Sequence, residues 1–337
     1  MKKKFWLGLA LASLMAVTAA CGSNSGGKST EGGNSEGKEY TVAISQIVEH
    51  PSLDATREGF LKALEDAGLN VKVDYNNAQA DQNNIKSISQ KIATSKADLA
   101  LGIATDTSIG LIEEVKDIPV LFAAVTDPLD SKLVPQLKAP GGNVTGASDT
   151  NPDAIVQLMD FIAKELPNVK KVGVVINEGE SNAVVMSNIA QEALAKHNIE
   201  LVKAAVVNSS DVQQAAQSLV GRVDAVYVTL DNTVVEGVES IIDVVNKNKI
   251  PFFSADRDTV EKGAFATVGF KYFDHGYEVG QMAVEILKDG KKPGEMDVRS
   301  PEKLDFILNL SAAAEQGITV TDEMKAYVKD PENNIIE

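Results

Sequence analysis

One pattern constrains this chain more than any other: short apolar, β-rich runs alternate with amphipathic helical segments, and the series runs twice. Thr41–Ile44, Val71–Tyr75, Leu99–Ile103 and Val120–Ala124 read as strands. Between them, Ser52–Ala67 and Asp81–Ser95 read as helices, with Leu53, Phe60, Leu61 and Leu64 on one stripe and Ile85, Ile88 and Ile92 on another. The series restarts at Val172–Ile176, then Asn182–His197, Leu201–Val206, Asp211–Leu219, Ala225–Thr229, Val235–Asn248 and Pro251–Phe253. Continuous apolar strands separated by helices require parallel sheets covered on both faces. The fold class is therefore α/β, with two doubly wound parallel-sheet lobes. Thr105 and Asp231 hold matching places in the two series, each just past a central strand.

The link between the series is the turn-rich stretch from Pro140-Gly141-Gly142-Asn143 to Asn151-Pro152. After Gly269 a long amphipathic helix, Phe273–Lys288, and a last strand, Phe306–Leu308, are left over. They imply that the chain returns to the first lobe and crosses once more. Three crossovers make a hinge. The expected division is 39–147 plus 270–298 for lobe 1, and 148–269 plus 299–337 for lobe 2.

The first residues carry a different message. Lys2, Lys3 and Lys4 precede an uncharged apolar stretch, Phe5–Val17, and then Thr18-Ala19-Ala20 before Cys21. That is the three-part form of a secretory signal, too short to span a bilayer as a helix. The expectation is a signal peptide over 1–20 and a flexible tether over 21–38. The tether is almost wholly Ser, Gly, Asn, Glu and Lys, which bury too little to offset their ordering entropy. Cys21 is the only cysteine, so no disulfide forms within the chain. Its place resembles a lipobox, in which the thiol is acylated. The net charge is −16, more negative still once the leading lysines are gone. Such a surface argues against nucleic acid and against anionic membrane as partners.

In open α/β sheets, ligands bind beyond the carboxyl ends of the strands. The residues there are Gln46, His50, Thr105, Thr107, Thr126, Asp127, Ser181, Asn182, Asp231, Asn232 and Asp256. Hydroxyls and free backbone N–H groups at helix starts suit a carboxylate. A buried Asp suits an ammonium, because a desolvated charge needs a partner. Together they describe a site for a zwitterion, hence an amino acid. Thr105, Thr107 and Thr126 are expected at the carboxylate, and Asp256 or Asp231 at the ammonium. Gln46, His50, Ser181 and Asn182 would then line the side-chain end. Several of these residues would also serve as N-caps, and Thr126-Asp127-Pro128 as a turn.

Enzyme readings find little. The three histidines, His50, His197 and His275, show no metal-ligand spacing. No G-x-G-x-x-G, P-loop or G-x-S-x-G follows a strand. Glu113-Glu114 and the pair Glu178 and Glu180 read as solvated surface. The expectation is a chain that is not an enzyme, with no metal and no cofactor.

Two groups of motifs carry a resemblance. The first is Gln46-Ile-Val-Glu-His-Pro51-Ser-Leu-Asp54, Asp117-Ile-Pro-Val120 and Thr126-Asp-Pro128. The second is Pro140-Gly-Gly-Asn-Val-Thr-Gly146, Asn208-Ser-Ser-Asp-Val-Gln-Gln214 and Asp231-Asn-Thr233. From about Tyr40 to Ile318 the chain resembles ABC transporter substrate-binding lipoproteins that take up tryptophan and other aromatic amino acids. The resemblance implies the type I periplasmic-binding fold, with two lobes on a three-stranded hinge that close on ligand. It also implies an ABC permease with its ATPase as partner, tryptophan ahead of tyrosine or phenylalanine as ligand, and a monomer. The expected place is the extracytoplasmic face of the cell membrane, anchored through Cys21. A sugar- or nucleoside-binding protein of the same fold, or a surface adhesin or sensor, is the alternative. The single tryptophan, Trp6, lies in the leader, which weakens the sugar reading, because sugar sites favour flat stacking platforms.

Overall fold

A computed structural model describes residues 38–301 and 304–337. The expected signal peptide, most of the tether and Cys21 lie outside the described residues. The first series forms β1 (Glu39–Gln46), α1 (Pro51–Asp66), β2 (Asn70–Asn77), α2 (Gln82–Ala93), β3 (Leu99–Ile103), α3 (Thr105–Glu114), β4 (Val120–Val125) and β5 (Val144–Ser148). These strands make one parallel sheet in the order β2-β1-β3-β4-β5.

The second series is α4 (Pro152–Glu165), β6 (Lys171–Ile176), α5 (Ser181–Ala195), β7 (Glu200–Ala205), α6 (Val212–Leu219), β8 (Ala225–Val228), α7 (Asn232–Glu236), α8 (Val238–Asn248), β9 (Phe252–Ser254), α9 (Arg257–Lys262) and β10 (Ala266–Gly269). Then come α10 (Tyr272–Leu287), β11 (Asp305–Asn309) and β12 (Ile335–Ile336). The second sheet runs β12-β11-β10-β9-β8-β6-β7, with β10 and β11 antiparallel and the other neighbouring pairs parallel. Its segment β7-β6-β8-β9-β10 repeats the strand order of the first sheet. The fold is α/β with two doubly wound lobes.

Burial explains why the strands read as continuous apolar runs. All five residues of β3 are buried. Leu99, Leu101 and Ile103 pack towards Phe60 of α1 and Val279 and Met282 of α10, while Ala100 faces Ile92 and Leu111 on the other side. In the second lobe, Ala225 and Tyr227 of β8 face one core, and Val226 and Val228 the other. Helix α10 packs against α1. It lies so close to α1 that a Cβ on Gly276 would collide with the Thr56 carbonyl, and one on Gly59 with the Phe273 carbonyl.

Two expectations need correction. The stretch from Pro140 to Pro152 is more than a linker, for it contains β5, a fully buried edge strand. Its sequence, Val-Thr-Gly-Ala-Ser, is too short and too small-residue-rich to stand out beside the surrounding turns. The expected helix from Val235 to Asn248 is instead two helices, α7 and α8, meeting at Gly237.

The chain passes between the lobes three times, after β5, after β10 and before β11. The first and third passages are tied together. Ser148 N donates to Arg299 O at 2.8 Å, Arg299 N to Gly146 O at 3.0 Å, and Thr145 Oγ1 to Met296 O at 2.9 Å. The second passage joins the first through Tyr272, whose hydroxyl donates to Asp149 Oδ2 at 3.0 Å. Among the described residues, no helix is long and apolar enough to cross a membrane.

Candidate functional site

The carboxyl ends of both sheets open onto one narrow cleft. From the first lobe come His50, Ser52, Leu53, Ala124 and Thr126. The second lobe supplies Asn182, Leu230, Asn232, Val235 and Asp256, and the hinge adds Asp149 and Tyr272.

The first-lobe wall is set by how α1 begins. His50 is extended at the N-cap, Pro51 occupies the first turn, and no side chain caps the helix. Pro at this position has no N–H to lose, and the amides of Ser52 and Leu53 have no acceptor within the helix. The positive end of a 16-residue helix is therefore left on the cleft wall. Thr126 is presented by the irregular end of β4, where the register shifts between Phe122 and Val125. There Ala124 takes a left-handed φ of 53°, and its N–H donates to His275 Nε2 at 3.0 Å. Burial lowers the His275 pKa to about 4, which leaves the ring neutral and Nε2 free to accept.

The second-lobe wall is acidic. Asp256 caps α9 by accepting from Thr259 N at 2.7 Å, and also accepts from Ser254 Oγ at 2.7 Å. Asp149, on the hinge, is buried, and burial pushes its carboxyl up to about 6 against the hydrogen bonds from Tyr272 and Thr150. Among the described residues, no lysine or arginine lines the cleft. Two contacts span it: Ser52 Oγ donates to Asp256 Oδ1 at 3.2 Å, and His50 Nε2 meets Asn232 Oδ1 at 3.4 Å. Burial holds the His50 pKa below its ordinary value, against the pull of Asp256.

Behind the cleft lies a second narrow chamber that shares Asp149 and Leu230 with it. Its walls are largely apolar, with Ile155, Leu158, Met186, Tyr227 and Phe270. The Tyr227 hydroxyl is buried without a partner among the described residues.

The strand-end residues divide by place. His50, Thr126, Asn182, Asn232 and Asp256 line the cleft. Gln46 sits behind it, donating to Val48 O and Asp54 and accepting from Arg57. Thr105 is buried at the start of α3. Thr107 turns its hydroxyl back to Ile103 O at 2.7 Å. Asp127 faces its own turn, accepting from Leu129 N and Asp130 N. Ser181 is exposed. Asp231 is spent on Asn177 N and on capping α7, and burial together with the Glu180 charge pushes its carboxyl well up.

Glu180 corrects the surface reading of the Glu178 and Glu180 pair. Glu178 is exposed, but Glu180 is buried beneath the second-lobe wall and bonds Asn182, Asn232 and Thr233. Asp149, Tyr272 and Ser52 also line the cleft, outside the strand-end set. Ser52 follows the Glu-His-Pro motif directly. Asp149 and Tyr272 lie where the chain changes lobes, so only the crossover geometry brings them in.

Residues 41–331 match the model of the ABC transporter substrate binding protein family. The chain belongs to that family. It is 37% identical to the tyrosine-binding protein of Clostridioides difficile, over 98% of each chain. An ABC domain from Streptococcus pneumonia, solved in complex with L-Trp, is 32% identical. That comparison covers 88% of this chain and all of the other, with a TM-score of 0.81. The ligand-free, open structure of a Clostridium difficile substrate-binding protein with adhesive properties is 35% identical. It covers 88% of this chain and 98% of the other, yet its TM-score is 0.64. This family member therefore superposes better on the ligand complex than on the open relative, despite the lower identity.

Proposed function

We propose that the cleft captures an aromatic L-amino acid, tryptophan first and then tyrosine or phenylalanine, and releases it unchanged to an ABC permease driven by its ATPase. The observation that carries this is the pairing of an uncapped helix N-terminus with two buried carboxylates in one cleft that, among the described residues, no lysine or arginine lines. An α-amino acid carries its two charges on adjacent groups. The carboxylate fits the Ser52 and Leu53 amides with Thr126; the ammonium fits Asp256 and Asp149. The ring then enters the apolar chamber, where the Tyr227 hydroxyl favours a ring bearing a polar atom. The tyrosine-binding relative and the L-Trp complex support an aromatic ligand.

The mechanism is closure of two rigid lobes, 39–147 plus 270–298 against 148–269 plus 299–337, about the three crossings. The bonds from Ser52 to Asp256 and from His50 to Asn232 join the lobes across the cleft, and the better fit to the L-Trp complex supports a closed arrangement. Cys21 holds the monomer to the outer face of the membrane by its lipid. Calorimetric titration against the twenty amino acids, nucleosides and common sugars tests the ligand. Binding of a sugar or nucleoside with no amino acid bound would sink this reading.

A further inference from the structure

Glu180 stands just before α5 and is only 8% exposed. Five hydrogen bonds converge on its carboxylate. Asn182 Nδ2 donates at 3.2 Å, Asn232 N at 3.0 Å, Asn232 Nδ2 at 2.7 Å, Thr233 N at 2.9 Å and Thr233 Oγ1 at 2.7 Å. A carboxylate only accepts, so Asn232 must turn its NH₂ towards Glu180 and its oxygen away. That oxygen faces His50 Nε2 across the cleft at 3.4 Å. An amide oxygen also only accepts, so the proton of the neutral His50 ring belongs on Nε2. Nδ1 is left with a bare lone pair. It is buried and has no partner among the described residues, on a residue that lines the cleft with Asp149 and Asp256.

We propose that Glu180 is a positioning residue that acts through Asn232 to fix His50 as its Nε2-protonated tautomer, so that lobe closure presents Nδ1 as a third acceptor, beside Asp149 and Asp256, for the ligand's ammonium. This rests on the amino-acid reading given above. An ammonium has three N–H donors, and the cleft then offers one acceptor group for each. The chain of polarity runs from the second lobe to the first and is complete only when the lobes meet. In the open state Asn232 no longer reaches His50, and either tautomer is available to the ring. Closure thus creates the acceptor and pairs it in one step.

The tautomer is read directly by nitrogen-15 NMR of the imidazoles, since the chain has only two other histidines, His197 and His275. With L-tryptophan bound, His50 is expected to carry its proton on Nε2, with Nδ1 showing the shift of an acceptor. Asn232→Ala removes the link while leaving the Asn232 backbone bond to Glu180. Glu180→Gln, which can donate, invites Asn232 to turn over. In either variant the tautomer is expected to become mixed or to reverse. L-tryptophan affinity should fall roughly tenfold or more, as for a buried acceptor left unpaired. Indole-3-propionate, which lacks the ammonium, should lose little. A wild-type His50 protonated on Nδ1 in the complex would overturn the proposal. So would variants that weaken both ligands equally, since that is what a merely structural role predicts. If the wild-type protein binds none of L-tryptophan, L-tyrosine or L-phenylalanine, the amino-acid reading fails. The tautomer of His50 in whatever complex does form then still tests the Glu180 relay.

Discussion

The two walls of the cleft come from lobes of the same strand order but opposite capping chemistry. In the first lobe, α1 starts without a side-chain cap, and the wall shows amides and hydroxyls. In the second, α7 is capped by Asp231 and α9 by Asp256, and Glu180 reinforces α7 from a neighbouring element. A capped helix end has its orphan donors satisfied and its positive pole offset by a carboxylate. An uncapped end facing a cleft keeps both for a ligand. One topology thus yields a positive wall and a negative wall, and the difference rests on a few side chains rather than on the fold.

The strongest way to break this contrast is at Asp256. Asn is as good a cap as Asp, so Asp256→Asn should keep α9 while removing the charge. Amino-acid affinity is expected to fall by at least about 2 kcal/mol in calorimetry. An unchanged affinity would remove Asp256 from the ammonium site. The converse substitution, Ser52→Asp, makes the positive wall resemble the negative one. Ligand binding should weaken by roughly 1–2 kcal/mol, because the new carboxylate sets a negative charge at the end of α1 and against Asp256. A variant that binds normally would show that the α1 terminus does not hold the carboxylate.

The contrast also predicts a pH dependence. Asp149 titrates near 6 in the folded protein, above its ordinary 3.8. The folded state therefore holds more protons than the unfolded one between these values, and this residue's contribution to stability falls as pH rises through that window. Ligand binding runs the other way, since an ammonium favours the ionised carboxylate. Affinity should be about tenfold weaker at pH 5 than above pH 7, with a proton released on binding near pH 6. Asp149→Asn should flatten the profile. The smallest expected effect is at Tyr227. Tyr227→Phe should cost tryptophan or tyrosine roughly 1 kcal/mol and phenylalanine almost nothing. Equal losses for all three would place the ring elsewhere.

Much of this architecture is legible in the sequence because buried parallel strands and amphipathic helices have unmistakable periods. Leu99–Ile103 and Ala225–Val228 stand out as apolar runs because both faces of each strand are covered. β5 escapes because Val144–Ser148 is short, carries Gly146, and sits between turns. The strand-end rule leads to His50, Thr126, Asn182, Asn232 and Asp256, which the fold gathers around the cleft. It cannot separate them from Gln46, Thr107 or Asp231, whose polar groups are consumed by their own neighbours. Glu180 reads as surface beside Glu178 and Gly179, because its burial is made by α7, some fifty residues on. Asp149 and Tyr272 belong to the hinge, where position follows from how three separate passages meet.

Both charges of an amino acid are expected to bind in this cleft at once. Calorimetric titration with L-tryptophan, indole-3-propionate and tryptamine tests it most directly, since the two analogues lack the ammonium and the carboxylate respectively. L-tryptophan is expected to bind at least about 100-fold more tightly than either, because each analogue leaves one buried wall unpaired. Comparable affinity for the three, or a sugar bound where no amino acid is, would contradict the account.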